Sequence, residues 1–419
     1  MSLYNNSNSP GSFDSPTQQL SWVEVTSNPS VPNGSSQISM RWNSSPSRVW
    51  VPGSSYVVLK LTLGTAFTNV PLESQINDFP ANRLFQRMQI SADSNRLESN
   101  DDCSTIAQLY TDLESSFAGR LSHVRALSKQ GLLVSGDTEI TLCFVPHLSL
   151  FRLGYGLNGG SWELTLFPKS ATGGADFIDS MISSVAAATA AATVTGVSEQ
   201  LGLPNTTITG RALGVTNATA CTITGCSLMV AYASPNMPSP LDGPMQHLLS
   251  VYNTQVHEPT ATAVNHTVTI PPSTFYVSMF IVLKATTATE NQGAVQGGLL
   301  NYQLRYGSNV YPFSPINSLV TSGDQLRSYV DTVNSRNSLD LGDEFPRTFD
   351  QWKAKPVYGH RIYKSSGDSP TQMNLRANFN TGGNATAARI IIVCHSHELL
   401  TMSYANDGEL VATDVVPIV

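Results

Sequence analysis

The sequence of 419 residues contains 30 Gly and 24 Pro, and only 13% of its residues are charged. This composition favours many strands joined by polar loops, and it disfavours helical bundles and coiled coils. The net charge of −7 is small and unclustered, which argues against a basic surface for nucleic acid or an anionic membrane. The length is that of two domains of roughly 200 residues each.

The cysteines and the N-terminal residues indicate the cellular compartment in which the chain is expected to be made. The five cysteines lack zinc-type spacing and are odd in number, which indicates buried thiols in a reducing environment; they are Cys103, Cys143, Cys221, Cys226 and Cys394. No charged segment followed by an apolar one opens the sequence, and no window holds about 18 consecutive apolar residues. We therefore expect no signal peptide, no membrane-spanning helix and synthesis in the cytosol.

The first part of the chain divides into a polar segment and a strand. Residues 1–46 are rich in Ser, Asn, Pro and Gln and contain one basic residue, Arg41, which predicts a polar N-terminal arm lying against neighbouring surfaces. Residues 56–63 then place Val57, Leu59 and Leu61 on one face, as a half-buried strand requires. The first predicted domain spans residues 47–238.

A helical pattern occurs twice, once in each half. The apolar positions at i, i+3, i+4 and i+7 are Ile106, Leu109, Tyr110 and Leu113, then Leu326, Tyr329, Val330 and Val333, and the offset is constant (326−106 = 330−110 = 220). Asp102 and Ser322 are the predicted N-caps at the same offset. A strand and a polar turn precede each helix, Asp93-Ser94-Asn95 in the first half and Gly307-Ser308-Asn309 in the second. These matches predict two copies of one β-rich unit.

Further strands are predicted in both halves. Strands of the first half are predicted by alternation near residues 140–144 and 162–166 and by the apolar stretch 221–233. Residues 170–215 are interpreted as a loop insertion with a short helix near 177–184. Several prolines between 235 and 244 predict a boundary near 239, so that the second domain spans residues 239–419. Residues 275–284 are almost continuously apolar, as in a strand covered on both faces, and residues 373–379, 389–394 and 399–404 supply three more strands.

Candidate chemical groups are few. His395 and His397 share one strand face at a spacing that can chelate a metal, but no third ligand follows from the sequence, and ordinary strand positions are the preferred interpretation. Asp101 and Asp102 are interpreted as capping groups of the first helix rather than as an acid pair. The sequence contains none of the common nucleophile, dinucleotide, phosphate-loop or zinc-protease motifs. We therefore predict no catalytic, cofactor-binding or metal-binding residues, and no enzymatic activity.

The order of elements resembles that of double jelly-roll major capsid proteins, the lineage of tailless bacterial viruses, adenoviruses, virophages, Polinton-like elements and large algal viruses. The segments that carry the resemblance are residues 87–90 (RMQI), 144–151 (FVPHLSLF), 159–166 (GGSWELTL), 304–312 (LRYGSNVYP) and 315–316 (PI). The resemblance covers residues 47–419 and rests on loose patterns. The long N-terminal segment and the composition of residues 170–215 depart from the family.

The resemblance implies an all-β chain of two jelly-roll sandwiches, each with a short helix after its second or third strand. It further implies a homotrimer that forms a pseudo-hexameric capsomer and tiles an icosahedral shell, so the expected location is the virion. Expected partners are other copies of the chain, penton or minor capsid proteins and a host receptor. Sequence-specific binding to nucleic acid is not expected.

Three other hypotheses remain open from the sequence. The first is a single jelly roll with a protruding β domain, in a capsid protein of a small RNA or circular single-stranded DNA virus. The second is a glycan-binding β-sandwich, which would present exposed aromatic and acidic side chains. The third is a β-rich hydrolase that uses His395, His397 and a distant carboxylate.

Overall fold

The fold is described from a computed structural model of the chain. The described residues are 20–30, 37–63, 81–113, 139–153, 156–169, 221–233, 245–257, 265–270, 276–285, 299–306, 309–317, 323–336, 348–354, 356–362, 373–379, 388–404 and 410–417. Their strands form four antiparallel sheets, two for each half of the chain. Within these ranges, no helix has the length and apolar character needed to cross a membrane.

In its described residues, the first sandwich has nine strands and one α-helix. The strands are β1 (Leu20–Thr26), β2 (Ile38–Asn43), β3 (Val49–Trp50), β4 (Tyr56–Leu63), β5 (Phe85–Ala92), β6 (Asn95–Asp101), β7 (Glu139–Phe144), β8 (Ser161–Pro168) and β9 (Cys221–Ala233). Helix α1 (Cys103–Leu113) lies between β6 and β7 in the chain. One sheet has the order β1-β9-β4-β7, with β3 also paired to β9, and the other has the order β2-β8-β5-β6.

The second sandwich repeats this arrangement. Its strands are β10 (Met245–His257), β11 (Asn265–Ile270), β12 (Tyr276–Ala285), β13 (Leu299–Tyr306), β14 (Asn309–Asn317), β15 (Val357–Arg361), β16 (Met373–Phe379), β17 (Ala388–Tyr404) and β18 (Leu410–Pro417). Helices α2 (Asp324–Arg336) and α3 (Phe349–Ala354) separate β14 from β15. The sheets have the orders β10-β17-β12-β15, with β18 also paired to β17, and β11-β16-β13-β14.

The two strand orders are the same once each strand of the first sandwich is matched with its counterpart in the second. β1-β9-β4-β7 corresponds to β10-β17-β12-β15, and β2-β8-β5-β6 corresponds to β11-β16-β13-β14. Two four-stranded sheets in this order are a jelly roll, so the prediction of two jelly rolls in one chain is confirmed. Each helix follows the fifth of the eight shared strands, not the second or third as expected, because β1, β2 and β6 were not recognised as strands.

The predicted arm over residues 1–46 is wrong for the two strands that lie inside it. β1 pairs with β9 from Leu20 to Thr26, and β2 pairs with β8 from Ile38 to Asn43. The polar composition concealed a period of two in β2, where Ile38, Met40 and Trp42 are buried. These strands complete both sheets of the first sandwich.

The core of the first sandwich is built from alternate residues of facing sheets. Val57, Leu59 and Leu61 of β4 are buried, as predicted. Within the core, the centroid of the Trp50 ring lies 4.8 Å from the ring centroids of both Trp42 and Trp162. Such edge and tilted contacts bury large aromatic surfaces in favourable geometry. The sheets therefore pack through apolar side chains in the way that their alternation predicts.

The two helices have the same place in the strand order of the two sandwiches but pack on different strands, α1 on β5 and α2 on β15, and bury different faces. In α1 the predicted stripe is buried, and Asp102 caps the helix by accepting a hydrogen bond from the Thr105 amide at 3.2 Å. An apolar stripe is expected to face the core. In α2 this expectation is wrong, since Leu326 and Val330 are exposed while Ser328 and Thr332 are buried.

Close packing on β15 explains the orientation of α2. The Thr332 hydroxyl donates to the Val357 carbonyl at 2.8 Å and accepts from the Gly359 amide at 3.0 Å. A Cβ atom at Gly359 would lie 2.9 Å from the Cα of Thr332, so only glycine permits this approach. Small polar residues on α2 therefore face the sheet, and Leu326 and Val330 point outward, while Tyr329 packs beside Phe349 and Trp352.

Two further corrections concern the end of the chain. The strands predicted at 389–394 and 399–404 are one strand, β17, because its polar middle pairs with β10 on one side and with β12 or β18 on the other. β18 was not predicted. The loop insertion at 170–215, its short helix near 177–184, the boundary at 238/239 and the Ser322 cap all lie outside the described residues and stay predictions.

Candidate assembly site at the seam between the two sandwiches

An apolar seam joins the two sandwiches. Strand β12 is buried on both faces, as its sequence predicts, because each face belongs to a different core. Met279, Ile281 and Leu283 pack in the core of the second sandwich, whereas Phe280 and Val282 belong to a cluster that is continuous with the core of the first. In β17, Ile391 and Val393 likewise belong to that continuous cluster. The first sandwich therefore covers part of the outer face of the sheet β10-β17-β12-β15. Over β15 the same face is covered by α2, since Thr332 and the Phe280 ring both adjoin Gly359.

Side chains of the first sandwich also bind the edge strand β10. The Ser149 hydroxyl donates to the Ser250 carbonyl at 2.9 Å and lies 2.7 Å from the Ser250 amide. The hydroxyl groups of Tyr110 on α1 and Tyr252 on β10 are 2.7 Å apart, and both side chains are buried. An uncovered edge strand can pair with other chains, so these contacts protect part of β10 and fix the position of one sandwich against the other.

Glu98 on β6 is a buried carboxyl group beside this seam. Its Oε1 accepts a hydrogen bond from the Ser149 amide at 2.7 Å, and its Oε2 accepts one from the Leu150 amide at 3.4 Å. Burial raises the pKa of Glu98 from 4.5 to about 7, while these amides and the charge of Arg152 act in the opposite direction. Ser149 therefore connects a titratable group to the edge strand of the other sandwich.

The two histidines singled out in the sequence lie on the seam face of β17. The His395 ring stacks on Tyr252 with centroids 5.2 Å apart, and the His397 ring lies edge-on to it at 4.7 Å. Burial lowers the pKa of His395 well below 6.5, so the ring is neutral at physiological pH. Among the described residues, no three His, Cys, Asp or Glu side chains are grouped so that they could hold a metal ion.

The two aspartates before α1 have different surroundings. Asp102 caps the helix, which confirms its predicted role. The capping role predicted for Asp101 is wrong, because Asp101 ends β6 and its carboxylate lies 3.9 Å from the Arg87 Nε on the neighbouring strand. The Asp101 carbonyl accepts a hydrogen bond from Thr254 of β10. Neither arrangement brings the two carboxylates together as an acid pair.

Sequence reasoning missed most of the seam. Glu98, Ser149 and Tyr252 carry no recognisable motif, because each is defined by a contact between distant segments. One signal was present: the continuous apolar run of β12 predicted a second covered face but did not identify what covers it.

The sequence and the fold give different results when they are compared with known proteins. No protein-family model matches the sequence, and no curated protein matches it. The strand order defines a double jelly roll, and solved structures of similar fold belong to capsid proteins of viruses and virophages. The chain is similar to the capsid structure of the Sputnik virophage, with a TM-score of 0.58, 10% identity and coverage of 95% of this chain and 88% of that one.

Two other structures show the same likeness along nearly the whole chain. The PBCV-1 virus capsid has a TM-score of 0.56 and 11% identity, over 95% of this chain and 97% of that one. The mavirus major capsid protein has a TM-score of 0.55 and 12% identity, over 94% of this chain and 90% of that one. The two-sandwich fold extends over both halves, so the alternative of one jelly roll with an unlike protruding domain is wrong.

Proposed function

We propose that this chain is a viral major capsid protein whose role is structural. The observation that carries the proposal is the duplicated jelly roll, with one strand order in both halves and a helix after the fifth shared strand of each. The similar solved structures, which cover nearly the whole chain, are capsid proteins and add support. In this role the chain needs no catalytic residues.

The proposed assembly is a homotrimer. Three chains with two similar sandwiches each, arranged about a threefold axis, give a ring of six similar units that tiles like a hexagon. Such a unit must hold its two sandwiches at a fixed angle, and the buried seam to which Phe280 and Val393 belong supplies that rigidity. The trimers would then tile an icosahedral shell.

Further partners and the location follow from the same proposal. Other capsomers, penton or minor capsid proteins and a host receptor are the proposed partners, and the virion is the proposed location after synthesis in the host cytoplasm. Residues 170–215 are the proposed outward loop, since loops at one end of a sandwich face the exterior in such a shell.

Light scattering and negative-stain microscopy of the purified full chain test the proposal. The expected mass is three times 45.0 kDa, with particles of hexagonal outline that form plates or closed shells. A dispersed monomer that binds glycans in an array, and forms no ordered particles at any concentration tested, would contradict it.

A further inference from the structure

We propose that the outer face of α2 docks on the outer face of the sheet β1-β9-β4-β7 in the next copy of the chain. This contact would repeat between chains the seam that joins the two sandwiches within one chain. The inference rests on the proposed capsid function and assigns the surfaces through which copies meet.

The seam within the chain provides the template. There the second sandwich contributes the outer face of the sheet that contains β10, and the first contributes α1, β6 and the 3-10 helix Ser149–Arg152. The described side chains of α1 are all buried, including the polar Ser104 and Thr105. The helix at this position is thus covered both by its own sandwich and by neighbouring structure.

The first sandwich has the corresponding sheet face, but most of its edge strand is exposed. The burial pattern of β1 shows five exposed residues out of seven. Trp22 on its outer side is 47% exposed, whereas Tyr252 on the seam side of the matching strand β10 is 3% exposed. Across the sheet from Trp22, the half-buried Val58 and Met229 point to the same side because they lie in register with that outer row. We call Trp22, Val58 and Met229 the sheet patch.

The second sandwich has the corresponding helix, also exposed on its outer side. Leu326 is 52% exposed and Val330 is 46% exposed, one turn apart on the same face of α2. We call these two residues the helix patch. Charged residues of both signs flank each patch: Arg327 and Asp331 adjoin the helix patch, and the exposed Glu24 and Lys60 adjoin the sheet patch. The patches therefore match in apolar character, and each offers charges of both signs that can pair across the contact.

The seam within the chain and the proposed contact between chains also differ in residue composition. The seam side of the second sandwich is a buried apolar surface around Phe280 and Val393, as suits a contact made during folding. The sheet patch is accompanied by polar residues such as the exposed Lys60, as suits a surface that stays in water until another copy arrives. Because the two patches differ, the contact is head-to-tail, and such contacts close into a ring when the rotation permits.

The test uses two variants of the full chain, each with one patch disabled. Leu326→Asp/Val330→Asp removes the helix patch and Trp22→Glu removes the sheet patch. We expect each variant alone to sediment at one third of the wild-type mass. When the two variants are mixed, the intact helix patch of one can still bind the intact sheet patch of the other, so we expect a heterodimer. Formation of this heterodimer also shows that both variants are folded.

The control is Val411→Asp, which places the same charge on β18 at a valine that is 66% exposed and lies outside both patches. This variant should remain trimeric, with the wild-type thermal melting temperature. If both patch variants stay trimeric while melting normally, the inference is wrong and the capsid function stands. If Trp22→Glu alone remains associated, the contact joins like surfaces and the head-to-tail arrangement is wrong. A monomeric wild type would instead contradict the proposed function.

Discussion

Replacing Glu98 by Gln should remove a pH-dependent loss of stability at the seam. The folded chain holds the pKa of Glu98 at about 7, against 4.5 for an unburied glutamate. At roughly 1.4 kcal/mol per pH unit, this difference corresponds to about 3 kcal/mol. Because the folded pKa is the higher one, the contribution to stability is fully present below 4.5 and is lost as the pH rises through about 7.

Glutamine resembles the protonated acid and does not titrate, so Glu98→Gln should unfold with a free energy higher than wild type at about pH 8 and nearer to it at about pH 5. Urea unfolding at both values measures the difference, and comparison of the two proteins cancels other groups. These groups include His247 and His360. Burial lowers their pKa values in the folded chain, so their contribution to the free energy of unfolding is lost as the pH falls, opposite to that of Glu98.

A matched control comes from a surface glutamate. Glu163 pairs with Arg41 at 3.1 Å on the exposed side of β8, so Glu163→Gln should change stability by no more than about 1 kcal/mol. If Glu98→Gln shows the same difference from wild type at both pH values, the carboxyl is not buried in the manner described, and the reasoning about the seam fails.

Three further predictions concern packing. Phe280→Ala should lower the free energy of unfolding by about 3–5 kcal/mol in urea, because it empties a buried position at the seam, and a loss below about 1 kcal/mol would contradict that position. Tyr252→Phe should cost about 1 kcal/mol by removing the hydrogen bond to Tyr110, and adding Tyr110→Phe should cost much less than a second such loss, as a double-mutant cycle would show. Gly359→Ala should cost about 1–3 kcal/mol in thermal unfolding, whereas Gly323→Ala, with open space around it, should be near neutral.

The sequence predicted the parts of the fold that depend on local periodicity. Alternation identified β4, β8 and β16 because one face of each strand is apolar. The repeated helix was found because its spacing recurs at a constant offset. The covered second face of β12 was likewise predicted from its unbroken apolar run.

The remaining features depend on contacts between distant segments. β1 was hidden because an edge strand with most residues in water has no apolar stripe to reveal it. The orientation of α2 was missed because the glycine of β15 allows a small polar helix face to approach the sheet, and this outweighs the preference to bury Leu326. Glu98 could not be recognised, since its surroundings are set by residues 51 and 52 positions further along the chain.

The most direct test of the account is a cryo-electron microscopy reconstruction of the assembled particle. The predicted result is a ring of six sandwiches from three chains, in which contacts within a chain alternate with contacts between chains and α2 of each copy is covered by β1 of the next. A particle built from dimers, or a ring in which α2 faces solvent, would contradict the claim that one kind of contact joins all six sandwiches.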